Sequence, residues 1–185
     1  MLVEKTLEAC GIERADVPGR EIPVLVSLIR SVNPSRYAEL GTRFGASLCV
    51  AHRAAPECVL ISIDLQSARE WRALPNHPPV PPLPPHVFYR ADTRHMILPP
   101  ELRHSCNVVF VDADHTFDGV ANDTRLAFEM IAPGGIAIWH DAAPTDAPEI
   151  DVNRYLVTAF PFEAVLVAGT SIAFCRVPSV PEGGG

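Results

Sequence analysis

Apolar residues recur along this chain with two alternating periods. Ile22, Leu25, Leu28, Ile29 and Val32 fall at helical spacing, and the run stops before Asn33-Pro34, because a proline disfavours helical geometry in the residue ahead of it. The short run at 36–40 reads as a strand. It leads into a glycine-containing turn at 41–45 and an alanine-rich helical stretch at 46–55. Residues 58–63, 87–90 and 107–111 are mostly apolar and partly β-branched, as buried parallel strands are, and they end at or just before Asp64, Asp92 and Asp112. Phe117, Val120, Ala121, Thr124, Ala127, Phe128 and Ile131 share one helical face, which Pro133-Gly134-Gly135 terminates. Residues 136–139 form the next strand, followed by His140-Asp141. Two further apolar runs, 162–167 and 171–175 around Gly169-Thr170, predict an antiparallel hairpin.

Strands alternating with helices and closing on a hairpin imply an α/β fold with a mostly parallel sheet and an antiparallel edge. The 185 residues and 48% apolar content suffice for one core on both faces of that sheet, so the expected organisation is a single domain over 1–178 with a disordered tail at 179–185. One segment breaks the alternation: 75–85 carries seven prolines, cannot be helix, and reads as a stiff surface loop rather than a polyproline ligand.

Composition removes several classes of partner. The net charge is −7 and the arginines are scattered, with Lys5 the one lysine, so the concentrated positive charge that nucleic acid needs is missing. Cys10, Cys49, Cys58, Cys106 and Cys175 are odd in number and widely spaced, which fits small buried hydrophobes in a reducing compartment and neither a disulfide framework nor a zinc site. No apolar run reaches the roughly 18 residues of a membrane span, and the acidic start lacks a signal-peptide core. A soluble cytoplasmic protein is the expectation, free of membrane and nucleic acid, with a homodimer compatible.

Four acids, Glu39, Asp64, Asp92 and Asp112, fall at strand ends, where open α/β sheets place their ligand crevice. Any one of them could merely cap a helix; four together point to a pocket whose carboxylates accept from ribose hydroxyls or an exocyclic amine. The first turn reads Glu39-Leu-Gly41-Thr-Arg-Phe-Gly45-Ala-Ser47. It lacks the third glycine of a dinucleotide fingerprint, and its acid would repel a pyrophosphate while suiting a cationic amino-acid group.

The string AELGTRFGASL resembles the first motif of class I S-adenosylmethionine-dependent methyltransferases, and IAPGGIAIW resembles their helix-to-fifth-strand junction. More narrowly, residues 107–141 are similar to the branch containing macrocin-type sugar O-methyltransferases and cephalosporin-biosynthesis relatives, and the likeness spans roughly residues 20–176. The resemblance implies a Rossmann-like three-layer sandwich with a seven-stranded sheet in the order 3-2-1-4-5-7-6, strand 7 antiparallel. It places Glu39, Gly41, Gly45 and Ser47 around the methionine part of S-adenosylmethionine, Asp64 on the ribose, Asp92 near the adenine and Asp112 at the cofactor's edge. It further implies a divalent cation, magnesium or manganese, on Asp112, His140 and Asp141, with His115 as general base toward a small-molecule hydroxyl acceptor. The chain departs from the branch at His140, where an acid is usual, and imidazole suits manganese, iron or zinc better than magnesium. Two other readings remain open from the residues alone. Asp112, His115, His140 and Asp141 could activate water in a metal-dependent hydrolase, or the fold could serve as a noncatalytic subunit. Trp71 and Trp139 are candidates for the pocket border or for the core.

Overall fold

The computed structural model describes residues 19–74 and 81–179; Cys10, the segment 75–80 and the last six residues lie outside the described residues. The chain runs α1 (Ile22–Ser31), β1 (Arg36–Leu40), α2 (Ala46–Ala54), β2 (Val59–Asp64), α3 (Ala68–Arg72), β3 (Val87–Arg90), β4 (Cys106–Val111), α4 (Phe117–Met130), β5 (Ile131–Trp139), α5 (Val152–Thr158), β6 (Val165–Leu166) and β7 (Ala173–Arg176). Single 3₁₀ turns at Thr93–His95 and Pro100–Leu102 lie between β3 and β4.

The seven strands pair in the order β3-β2-β1-β4-β5-β7-β6, with β7 antiparallel to both its neighbours and the other pairings parallel. Alternation along each strand builds one core on each face, because successive side chains point to opposite sides. Ala38, Leu40, Val109, Val111 and Trp139 pack with Val120, Leu126 and Ala127 of α4 on one face. Tyr37, Leu60, Val108, Phe110 and Ile138 pack with Ile22, Leu25 and Ile29 of α1 and Leu48 of α2 on the other. Trp139 is fully buried and donates from Nε1 to Thr124 Oγ1 at 2.9 Å, so it belongs to the core and not to the pocket border.

Several boundaries differ from the sequence reading; the strands of the closing hairpin, expected at 162–167 and 171–175, cover Val165–Leu166 and Ala173–Arg176. Ile131 fits the periodic face of α4, yet the helix ends at Met130 and Ile131 already pairs with Cys106 as the first residue of β5. Pro133-Gly134-Gly135 therefore sits inside the strand as an irregularity: Gly134 takes φ +82°, and the register shifts before Val108 meets Ile136. α3 was not anticipated, although Ser67-Ala-Arg-Glu70 carries its signature. The Ser67 hydroxyl accepts from Glu70 N and the Glu70 carboxylate accepts from Ser67 N, a complete capping box. The four described cysteines are all buried and free, and no helix among the described residues is long and apolar enough to cross a membrane.

Candidate active site

The parallel ladder continues one residue beyond its strands and brings the strand-end groups to one edge. Gly41 N donates to Ile63 O, Ala91 N to Asp64 O, Asp112 N to Leu40 O and His140 N to Val111 O. Outside this edge opens a cleft of about 680 Å³ lined by Gly41, Thr42, Ser47, Asp64, Trp71, Asp92, Arg94, Asp112, His115, His140 and Asp141, among others. The sheet order reverses between β1 and β4, which is where an open α/β sheet leaves room for a ligand.

The first turn is shaped by close packing. Gly41 takes φ +85°, and a Cβ there would overlap the carbonyl oxygen of Asp112, so only glycine lets the turn lie against the end of β4. Gly45 takes φ +77° at the start of α2, and a Cβ on it would strike Leu83 of the proline-rich segment. That segment is tied down by Arg72, whose Nε donates to Phe44 O and whose Nη1 donates to Pro81 O. Gly45 therefore seats this segment and does not line the cleft.

Glu39 also lies beneath the cleft and not on its surface: it is fully buried, with Oε2 accepting from Tyr37 Oη at 3.1 Å. Its other oxygen, Oε1, and the buried Thr42 Oγ1 complete no well-formed hydrogen bond among the described residues. Burial pushes the Glu39 carboxyl up to about 8. Folded protein therefore holds this proton where unfolded chain has lost it, and stability falls as pH rises from the ordinary carboxylate range through about 8. Glu39→Gln, which mimics the neutral form, is expected to remove that slope, worth on the order of a few kcal/mol. Urea midpoints at pH 5 and pH 8.5 check this; parallel pH dependence in the two proteins would refute it.

Asp64 is engaged on every side. Oδ2 accepts from Thr42 N and Arg43 N, both at 2.8 Å, while Oδ1 accepts from Gln66 N at 3.1 Å and from Trp71 Nε1 at 3.4 Å. Trp71, unlike Trp139, does border the cleft. Asp92 caps the 3₁₀ turn at Thr93–His95 and holds Arg94 by two hydrogen bonds of 3.1 Å; the guanidinium keeps its carboxyl low, at about 2. Asp114 braces the start of α4: Oδ1 accepts from Thr116 N and Oγ1, and Thr116 in turn caps the helix at Gly119 N.

Asp112, His115, His140 and Asp141 converge at the far end of the cleft. His115 Nε2 lies 3.2 Å from Asp112 Oδ1 and 3.3 Å from Asp141 Oδ2. The bond to Asp112 raises the His115 pKa against the opposing effect of burial. His140 Nδ1 lies 3.1 Å from Asp112 Oδ1 and 3.4 Å from Asp141 Oδ2, and its Nε2 lies 2.9 Å from Glu21 Oε2. Burial opposes charge on this ring, but bonds to Asp112, Asp141 and Glu21 outweigh it and push its pKa up to about 12. Glu21 occupies its Nε2, and its Nδ1 faces the two aspartates. Asp112, His115 and Asp141 offer ligand atoms within 4.8 Å of one another, and His140 lies against the same two aspartates from the more buried side.

Glu21 escaped the sequence reading. It directly precedes α1, where an acid reads as an ordinary helix cap, yet its side chain makes no cap bond and turns inward. Both its oxygens are used: Oε2 by His140, and Oε1 by Ser171 N and Oγ at 2.6 Å each. No local signal distinguishes such an acid, because its partners lie 119 and 150 residues away.

A sheet of this order with its cleft outside the carboxyl ends of the strands is the Rossmann-like architecture of the class I methyltransferases. A family model described as a methyltransferase domain matches residues 38–142, more than half of the chain, and the protein belongs to that family. Solved structures agree on the fold. Cofactor-bound Rv0187 from MTB is 17% identical and superposes with a TM-score of 0.62 over 97% of this chain and 91% of its own. The O-methyltransferase TomG from Streptomyces achromogenes, in complex with SAM and involved in tomaymycin synthesis, is 20% identical with a TM-score of 0.62, over 90% of this chain and 83% of its own. The SAH-bound Podospora anserina methyltransferase PaMTH1 is 13% identical with a TM-score of 0.63, over 96% and 88%. None of the curated proteins matches the sequence.

Proposed function

We propose that this protein transfers a methyl group from S-adenosylmethionine to a hydroxyl of a small polar molecule, with a divalent cation held by Asp112 and Asp141. One observation carries the reading: the glycine turn and the Asp112–His115–Asp141 trio face the same cleft. A hydrolase using that trio would leave the turn without a ligand.

The residues fit the cofactor. Among the described residues, Thr42 Oγ1 on the cleft wall and Glu39 Oε1 beneath it are buried polar atoms that complete no well-formed hydrogen bond. Ser47 and the backbone of Gly41 would flank the methionine part, with Glu39 acting from below and Gly45 by seating the roof. Asp64 would meet the ribose by giving up its two longer bonds, to Gln66 and Trp71, while Oδ2 keeps the turn in place. Asp92 and Asp112 would border the adenine and the methyl-bearing end. When bound, S-adenosylmethionine supplies an electrophilic methyl on sulfur, and a cation on the two aspartates would lower the pKa of the acceptor hydroxyl. With a cation in its place between the two aspartates, His115 Nε2 would be free of its proton and would take that of the acceptor hydroxyl as the oxygen gained the methyl group, S-adenosylhomocysteine being the leaving product.

Apart from Trp71, Ile63, Leu65 and the two histidines, the cleft lining is small or polar, and it includes Ala113, Asp114, Thr116, Asp141 and Glu149. This polar wall favours a sugar or other polyol over a flat phenol, in line with the likeness of 107–141 to sugar O-methyltransferases. Calorimetry with S-adenosylmethionine tests the cofactor. Asp64→Ala should weaken binding at least tenfold, since charge-assisted hydrogen bonds are worth roughly 1.5–3 kcal/mol each. Unchanged affinity in a folded variant overturns the ribose assignment, and binding without methylation of any sugar or polyol in a broad panel overturns the proposed reaction.

A further inference from the structure

We infer that Glu21 is a positioning residue for the metal-binding carboxylates: it locks the His140 ring so that Nδ1 faces Asp112 and Asp141. The inference rests on the divalent-cation reading above and extends it to a residue far from the cleft in sequence.

Two carboxylates brought to adjacent strand ends repel one another when the space between them holds no cation. Their separation therefore needs an external restraint. His140 Nδ1 supplies it from the buried side, 3.1 Å from Asp112 Oδ1 and 3.4 Å from Asp141 Oδ2, while the more exposed His115 Nε2 bridges the same two oxygens from the other. An imidazole can satisfy such a contact in either of two flipped orientations, and only a partner on the far nitrogen selects one. Glu21 Oε2 is that partner, at 2.9 Å. Glu21 cannot swing, because Ser171 N and Oγ both hold its other oxygen. The relay Ser171–Glu21–His140–Asp112 thus joins four distant chain segments behind the site. The same loop steadies Asp141, whose backbone takes φ +52° and whose successor Ala142 donates from its N to Ser171 O at 2.7 Å.

A carboxylate with no exposed surface is costly to bury, and each oxygen of Glu21 is matched to a donor. The side chain caps no helix. Among the described residues its direct side-chain contact toward the cleft is with the His140 ring.

Calorimetric titration with Mn²⁺, without cofactor or acceptor, reads the restraint directly. Glu21→Ala should weaken Mn²⁺ binding about ten- to a hundredfold, the usual cost of losing an outer-shell partner. Glu21→Gln, which offers one oxygen where two are needed, should fall between this and wild type, and it serves as the test protein should the alanine variant fail to fold. A merely structural role would lower the melting temperature and leave Mn²⁺ affinity in the folded variants unchanged, which overturns the inference. Histidine-selective ¹⁵N NMR provides a readout independent of metal: the His140 Nε2–H proton shared with Glu21 should give a downfield, slowly exchanging resonance that disappears in Glu21→Ala and shifts in Glu21→Gln. If wild type takes up no Mn²⁺, the cation reading itself fails. Glu21 is then judged by that resonance, whose loss supports its hold on His140 and whose persistence overturns it.

Discussion

Replacing His115 by alanine is expected to cost about 10² to 10⁴ in turnover, or roughly 3–5 kcal/mol of barrier, with cofactor affinity retained. The ring lies at the same end of the cleft as Asp112 and Asp141 and leaves the strand edge three residues after Asp112, so an acceptor oxygen held at those carboxylates would meet Nε2. Facing two carboxylates, that nitrogen donates to them, and only once deprotonated does it offer a single lone pair. If it receives a proton, it does not at the same time bind a cation, although its distances to the two aspartates would serve either purpose. The alanine variant separates these roles. A proton acceptor predicts lost kcat with Mn²⁺ affinity kept, whereas a third ligand predicts weakened Mn²⁺ binding alongside the lost rate. A folded variant that methylates the true acceptor within about threefold of wild type would show that His115 does neither, since a base normally contributes at least about 10².

Removal of divalent ions is expected to lower methyl transfer by on the order of 10³ while S-adenosylmethionine still binds, because polarising a hydroxyl contributes several kcal/mol to the reacting end alone. Asp112→Asn and Asp141→Asn should reproduce the loss. They differ in detail: Asp112 Oδ1 faces both His115 and His140, and Asp112 also borders the cofactor part of the cleft, so its variant should weaken S-adenosylmethionine as well. Asp141→Asn should leave cofactor affinity near wild type. Rates under chelation, restored stepwise by Mg²⁺ or Mn²⁺, make the measurement. Full turnover in thoroughly chelated protein would remove the cation from the reaction.

The sheet is legible in the sequence because its central strands, β1, β2, β4 and β5, are buried on both sides. Runs such as 108–111 have no polar residue to mislead, and the acids at 64, 92 and 112 mark where three of the runs leave the core. Sheet order is a different matter: it comes from the family resemblance, since periodicity carries no information on which strand lies beside which. Of the expected cofactor set, Gly41, Ser47, Asp64, Asp92 and Asp112 line the cleft, whereas Glu39 and Gly45 support it from outside. A strand-end position tells where a residue's backbone goes. It does not tell whether the side chain turns up into the crevice, as at Asp64, or down into the interior, as at Glu39. Among the histidines the same limit applies. His115 and His140 are equally near Asp112, and only the distant Glu21, on the second nitrogen of His140, sets the two rings apart.

The bond between Glu21 and Ser171 closes a span of 150 residues, and this dictates when in its life the molecule becomes competent. Closing so long a loop is entropically slow, while the pairings of β1 with β2 and the docking of α1 on α2 require far less chain. During synthesis the glycine turn can thus take shape early. The ring of His140 gains its brace only once the last hairpin has emerged and seated. A nascent or truncated chain ending before Ser171 would carry every residue that lines the cleft and still lack an organised reaction end, so the C-terminal strands act as the closing step of assembly.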